Sequence, residues 1–131
     1  MYDFGKVRDV ADYLAKMDGE EYNRSAISRY YYSLFGSVRL YLILVLNETN
    51  FAKGKNVHGR VCDRLTGSND STEKSLGKIL DKLRGLRNLA DYDWYQEDSL
   101  FFEENVHIAC EVSRKGLEQL ESLKKSPPFK L

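Results

Sequence analysis

Proline is almost missing from this chain of 131 residues: Pro127 and Pro128, both in the tail, are the only two. A body free of proline can form long unbroken helices, because proline removes a helical donor and clashes with the preceding turn. Cysteine is as scarce. Cys62 and Cys110 stand far apart and outside any CxxC or Cys/His spacing, which argues for two reduced, mostly buried thiols. Charge of one sign is not in excess, since 20 Lys+Arg balance 20 Asp+Glu and the formal net charge is zero. Nucleic-acid binding driven by bulk charge is therefore not expected, although a local arginine cluster is still allowed. Copies of a neutral chain do not repel one another, which permits self-association. Long apolar runs are absent too. The strongest, Val38 to Leu46, contains Arg39 and is about half the length that spans a bilayer, so it reads as buried helix. The opening MYDFGKVRDV is charged and has no apolar signal core, so a cytoplasmic protein without membrane contact is expected. No stretch alternates with period two, and no sheet is expected.

The remaining composition, 42% hydrophobic and 31% charged, suits one domain with one core. Residues 1–125 read as this domain and 126–131 as a flexible tail. Apolar residues recur at helical spacing in five segments. The first runs from about Asp3 to Met17, with Val7, Val10, Ala11 and Leu14 facing inward, and Asp18-Gly19 ends it. The second runs from about Glu20 to Leu46. It carries Ile27, Tyr30, Tyr31, Leu34, Val38, Tyr41, Leu42 and Val45 on one stripe, and Tyr32, Phe35 and Leu46 beside it. A helix apolar over so wide an arc is central, or serves a core and a partner chain together. A polar connection, Asn47 to Asn56, leads to a short helix from Val57 to Leu65. Asp70 or Ser71 caps the next helix, which runs to about Ala90, and DYDWYQED breaks the chain. The last helix runs from about Ser99 to Leu123 with Phe102, Val106, Ala109, Leu117 and Leu120 inward. The expected architecture is an all-α, up-and-down bundle of four to five helices.

One residue breaks the pattern of the fourth helix. With about 100° per residue, Leu76, Ile79, Leu80, Leu83 and Ala90 fall within roughly 60° of one another, and Arg87 lies in the middle of that apolar stripe. Its guanidinium keeps its proton, so it needs an acid, a cleft or an anion. A structural ion pair or a snorkelling side chain is the plain reading. A phosphate-binding arginine is the functional one, because the planar fork suits phosphate oxygens. Asn88, Asp91 and Tyr92 follow directly and make the segment densely polar. The run Tyr30-Tyr31-Tyr32 is not a base-stacking platform: consecutive residues point about 100° apart, so packing with partnered hydroxyls is expected. Arg29 lies opposite the main stripe, either reaching a dimer cleft or solvated. Of the two histidines, His107 reads as solvated and His58 as a polar group at a helix end. Neither has a metal-ligand partner, so no metal or cofactor is expected.

Two stretches together resemble the HEPN family. SAISRYYYSLF in the second helix is similar to an S-R-x-Y-Y-x-x-F signature. LGKILDKLRGLRNLADYD in the fourth is similar to L-x-x-L-R-N-x-A-D-Y-D, and His58-Gly59 stands between them. The resemblance covers roughly Glu20 to Leu120 and implies a HEPN-like bundle that forms homodimers. Many HEPN proteins are metal-independent ribonucleases with Arg, four to six residues, then His. The arginine stabilises phosphate charge, the histidine does acid/base work on the ribose hydroxyl, and two copies face each other across a dimer cleft. Many act in toxin–antitoxin or phage-defence modules beside a small nucleotidyltransferase.

Here Arg87 and Asn88 match the start of that motif, but after four intervening residues the next position is Tyr92 in place of histidine. A free phenol titrates near ~10 and is a poor base at neutral pH, although it can donate a hydrogen bond or act as an acid. In relatives with Arg-x4-His-x-Tyr the tyrosine is a nucleotidylation target. Trp94 stands two beyond Tyr92, so that role has no aligned residue, and Tyr92 or Tyr95 are the tyrosines left for it. The resemblance thus implies a candidate endoribonuclease with Arg87, Asp91 and Tyr92 at its centre and Arg87, Asn88 and Arg29 binding phosphate. The lost histidine implies instead a catalytically degenerate module that binds nucleotide, RNA or a partner nucleotidyltransferase antitoxin. A structural helical adaptor, with Arg87 paired internally, is the third reading.

Overall fold

A computed structural model describes residues 1–127; of the expected tail, Pro128 to Leu131 lie outside the described residues. Five α-helices and a single 3-10 turn (Thr49–Ala52) follow in order, with no strand among the described residues: α1 (Gly5–Ala15), α2 (Glu20–Leu44), α3 (Val57–Thr66), α4 (Ser71–Tyr92) and α5 (Phe101–Lys125). The all-helical expectation holds, and each boundary lies within two residues of the periodicity reading.

The two longest apolar stripes make the centre. Helix α2 packs against α1, α4 and α5, and α4 packs against α2, α3 and α5. Ile27, Tyr30, Tyr31, Leu34, Val38, Tyr41 and Leu42 of α2 are buried, as are Leu76, Leu80, Leu83 and Ala90 of α4. Phe102, Val106, Ala109 and Leu120 of α5 close the same core, while Leu117 is only partly covered. Two expected inward residues are exposed: Val10 in α1 and Val45 just past α2. Helix α1 packs mainly on α2, so only the narrow side bearing Ala11 is enclosed. Val45 lies where α2 ends and the chain turns away, leaving nothing to cover it.

The ends are set by local chemistry. Gly19 starts α2 with φ 136°, a backbone conformation that side chains rarely tolerate. The Asp70 carboxylate accepts from the Glu73 amide at 2.9 Å, which fixes the start of α4. Glu73 is itself buried, and it joins Glu48 in holding the Arg64 guanidinium. Arg39, inside the apolar run of α2, is no misfit. It donates to the carbonyls of Phe51 and Ala52, each at 2.7 Å, and so ties the 3-10 turn to α2. No helix among the described residues is long and apolar enough to cross a membrane.

Candidate functional site around Arg87

Helix α4 continues two residues past Ala90, so Asp91 and Tyr92 are helical and the break begins at Asp93. The four last carbonyls of a helix need partners, and α4 has no basic residue of its own in its last turn. Arg24 of α2 supplies them: it donates to the Ala90 carbonyl at 3.0 Å and to the Asp93 carbonyl at 2.7 Å. Its guanidinium lies 3.9 Å from the Phe102 ring centroid, and Glu20 holds it from the other side. The end of α4 that carries the polar segment is thereby pinned between α2 and α5.

Arg87 is only 8% exposed. Its guanidinium carbon sits 5.2 Å from the Tyr31 ring centroid and 5.5 Å from that of Tyr32, so two α2 rings form its bed. The nearest acid is Asp91, one turn on, at 3.8 Å, too far for a direct hydrogen bond. The Arg87 Nε is buried and has no hydrogen-bond partner among the described residues. Asp91 in turn accepts a long 3.4 Å bond from Ser28 of α2. The internal ion pair that a purely structural role calls for is thus loose.

The other expected site residues divide. Asp91 stands beside Arg87, because four residues advance a helix by only about 40° past a full turn. Tyr92, five residues on, is swung about 140° away; it is 64% exposed, and no hydrogen bond links it to Arg87. Asn88 and Arg29 are exposed, and no hydrogen bond links either to Arg87 among the described residues. Trp94 and Tyr95 project from the following loop with most of their surface in solvent. His107 is exposed, as expected, and lines a separate cavity of about 270 Å³ with Glu20, Asn23 and Glu103.

His58 opens α3 as a polar helix-end residue, and its ring packs against α2. It stacks on Phe35 with centroids 4.0 Å apart, and its Nδ1 lies 2.6 Å from the Tyr31 hydroxyl. When the phenol donates, the ring is the Nε2–H tautomer. Burial, followed by the positive charges of Arg87, Arg84 and Arg39, pushes its pKa down to about 4, so the ring is neutral at pH 7. Burial raises the Tyr31 phenol well above its ordinary value, against the pull of Arg84 and Arg87. Three helices therefore converge here: α2 brings Tyr31, Tyr32 and Phe35, α3 brings His58, and α4 brings Arg84 and Arg87. Arg84 had a local signal, being one turn before Arg87 on the same side of α4. His58 had none, because its neighbours are 23 or more residues away in the chain.

Both cysteines are free; Cys62 is buried and Cys110 half-buried. No group of three metal-ligating side chains occurs among the described residues. Set against known proteins, the chain matches no family model, no curated protein and no solved structure.

Proposed function

We propose that the chain is a HEPN-like module of a prokaryotic toxin–antitoxin or phage-defence system, acting as a homodimer that binds a phosphate of RNA or of a nucleotide at Arg87. The observation that carries this reading is Arg87 itself. A guanidinium this deeply buried costs several kcal/mol in lost hydration, and the fold returns only two tyrosine faces and an acid at 3.8 Å. Such an arrangement supports an anion as the missing partner. The two motifs that resemble the family, one on α2 and one on α4, meet at this point, since Tyr31 and Tyr32 come from the first and Arg87 from the second. The exposed Asn88, next to Arg87 in the chain, and the exposed Arg29 of α2 are the further donors this reading assigns to a phosphodiester chain.

Cleavage of RNA is the second reading, and His58 favours it. The motif position holds Tyr92, which is exposed and turned away, yet an imidazole from another helix, His58, meets the Tyr31 hydroxyl. With Nδ1 engaged by the Tyr31 hydroxyl, the neutral ring offers its Nε2–H as a donor to a phosphate oxygen.

The test is to incubate purified protein with mixed RNA and excess chelator, beside Arg87→Ala and Tyr92→Phe. Cleavage by the wild type that leaves cyclic phosphate ends and disappears in Arg87→Ala supports the nuclease. Binding without cleavage, lost in Arg87→Ala, supports the degenerate module. Neither binding nor cleavage by a confirmed dimer overturns both and returns Arg87 to a structural role.

A further inference from the structure

Arg87 is not the only incompletely paired guanidinium here. Arg84 lies one turn earlier on the same side of α4, and its Nε is also buried without a hydrogen-bond partner. No carboxylate forms an ion pair with Arg84 among the described residues, whereas Arg24, Arg64 and Arg114 are each tied to glutamates at 2.9 Å or less. Arg8, Arg39 and Arg60 also lack a carboxylate but donate to carbonyl or hydroxyl oxygens, whereas the Arg84 Nε has no such partner among the described residues. Arg87 rests on the Tyr31 ring, whose hydroxyl meets His58 Nδ1 at 2.6 Å, and Arg84 stands one turn before it on the same side of α4, so both buried Nε atoms lie on the side of α4 that faces this pair.

We propose that Arg84 and Arg87 form a two-arginine clamp for a single phosphate group, with the Tyr31–His58 pair as its floor. This rests on the reading of Arg87 as a phosphate-binding residue and adds the second arm and the floor. Two planar forks one turn apart can each donate two N–H groups to the oxygens of one phosphate, which a lone arginine cannot do. Entry of the anion displaces Asp91, whose hold on Arg87 is already long at 3.8 Å. The floor adds no competing charge, because the phenol keeps its proton and the imidazole is neutral. The groups facing His58 are Tyr31, Tyr32 and Arg39 of α2 and Arg84 and Arg87 of α4. A phosphate on the two arginines cancels the positive charge beside the ring, so His58 gains basicity when the site fills.

The experiment uses the full chain and three probes: inorganic phosphate, a mononucleotide and a short single-stranded RNA. Binding is measured for the wild type, Arg84→Gln, Arg87→Gln and the exposed Arg114→Ala, with circular dichroism to confirm that each is folded. His58 is followed by NMR of its imidazole. Arg84→Gln and Arg87→Gln should each weaken binding about tenfold or more, and Arg114→Ala should not. The His58 titration should move to higher pH with ligand in the wild type and not in Arg84→Gln. Which probes bind identifies the source of the phosphate. If Arg84→Gln binds like the wild type while Arg87→Gln fails, the clamp is wrong and the single-arginine reading stands. If Arg114→Ala weakens binding as much as Arg84→Gln, the effect is bulk charge and the clamp is again wrong. If the wild type binds none of the probes, the clamp falls together with the function on which it rests.

Discussion

Arg87 carries a cost that its surroundings do not recover. Two ring faces are worth about 0.5–2 kcal/mol each, less than the several kcal/mol that burying the charge forfeits. Arg87→Met should therefore leave stability unchanged or raise it by about 1 kcal/mol, read from the urea midpoint, while abolishing phosphate binding. A loss of 3 kcal/mol or so would instead mark a structural ion pair. His58 makes a pH prediction. Its ordinary value is 6.5 and its folded value about 4, so between those pH values the unfolded chain binds the extra proton. Stability from this group is complete above about pH 6.5 and falls as the pH drops toward 4, by about 1–2 kcal/mol after allowance for solvent screening. Carboxylates titrate in part of that range, so the check is a comparison of urea midpoints between pH 7 and 4. His58→Phe should show a shallower decline than the wild type.

Helix α3 reaches the site because α4 lets it come close. A Cβ at Gly77 would stand 2.8 Å from the Thr66 backbone nitrogen and 2.9 Å from the Leu65 Cβ. Neither can turn aside, so Gly77→Ala should push α3 off α4 and cost about 1–2 kcal/mol despite the better helix propensity of alanine. Since α3 holds His58, the NMR signals of the His58 and Tyr31 rings should shift as well. Arg24 does for the other end of α4 what no residue of that helix does, bonding its last carbonyls from α2. Arg24→Ala should fray the turn holding Asp91 and Tyr92 at a cost of about 1–3 kcal/mol. Faster amide exchange confined to residues around 89–93 is the signature to look for.

The end of α4 and the loop after it present a face that carries the exposed side chains of Tyr92, Trp94 and Tyr95. The proposed homodimer would bring two such faces together across a shared cleft. Sedimentation should then give about twice the mass of 15.2 kDa. Trp94→Ser, which removes the largest exposed ring, should shift that equilibrium toward the monomer without lowering the unfolding midpoint by more than about 0.5 kcal/mol. A wild-type chain that stays monomeric at high concentration would remove the dimer cleft from the proposal.

Helix positions were legible along the chain because each signal is local. Proline is confined to the tail, apolar residues recur at a period near 3.6, and Asp70 and Gly19 punctuate where the hydrogen-bond ladder must start. Arg87 could be singled out for the same reason, since one helix's own periodicity shows it standing in an apolar stripe. The Asp91 contact, one turn away, follows from helix geometry alone. The exposure of Val10 and Val45 was not legible, because periodicity shows which side of a helix is apolar but not how far a neighbour covers it. Nor was the site around Arg87. His58 reads only as a polar helix-end residue until Phe35 and Tyr31 are packed against it. Arg84 becomes notable only when no carboxylate comes near, and Arg24 only when the end of α4 lands beside it. These relations join residues distant in the chain, and they exist only once α2, α3 and α4 exclude water from the space between them.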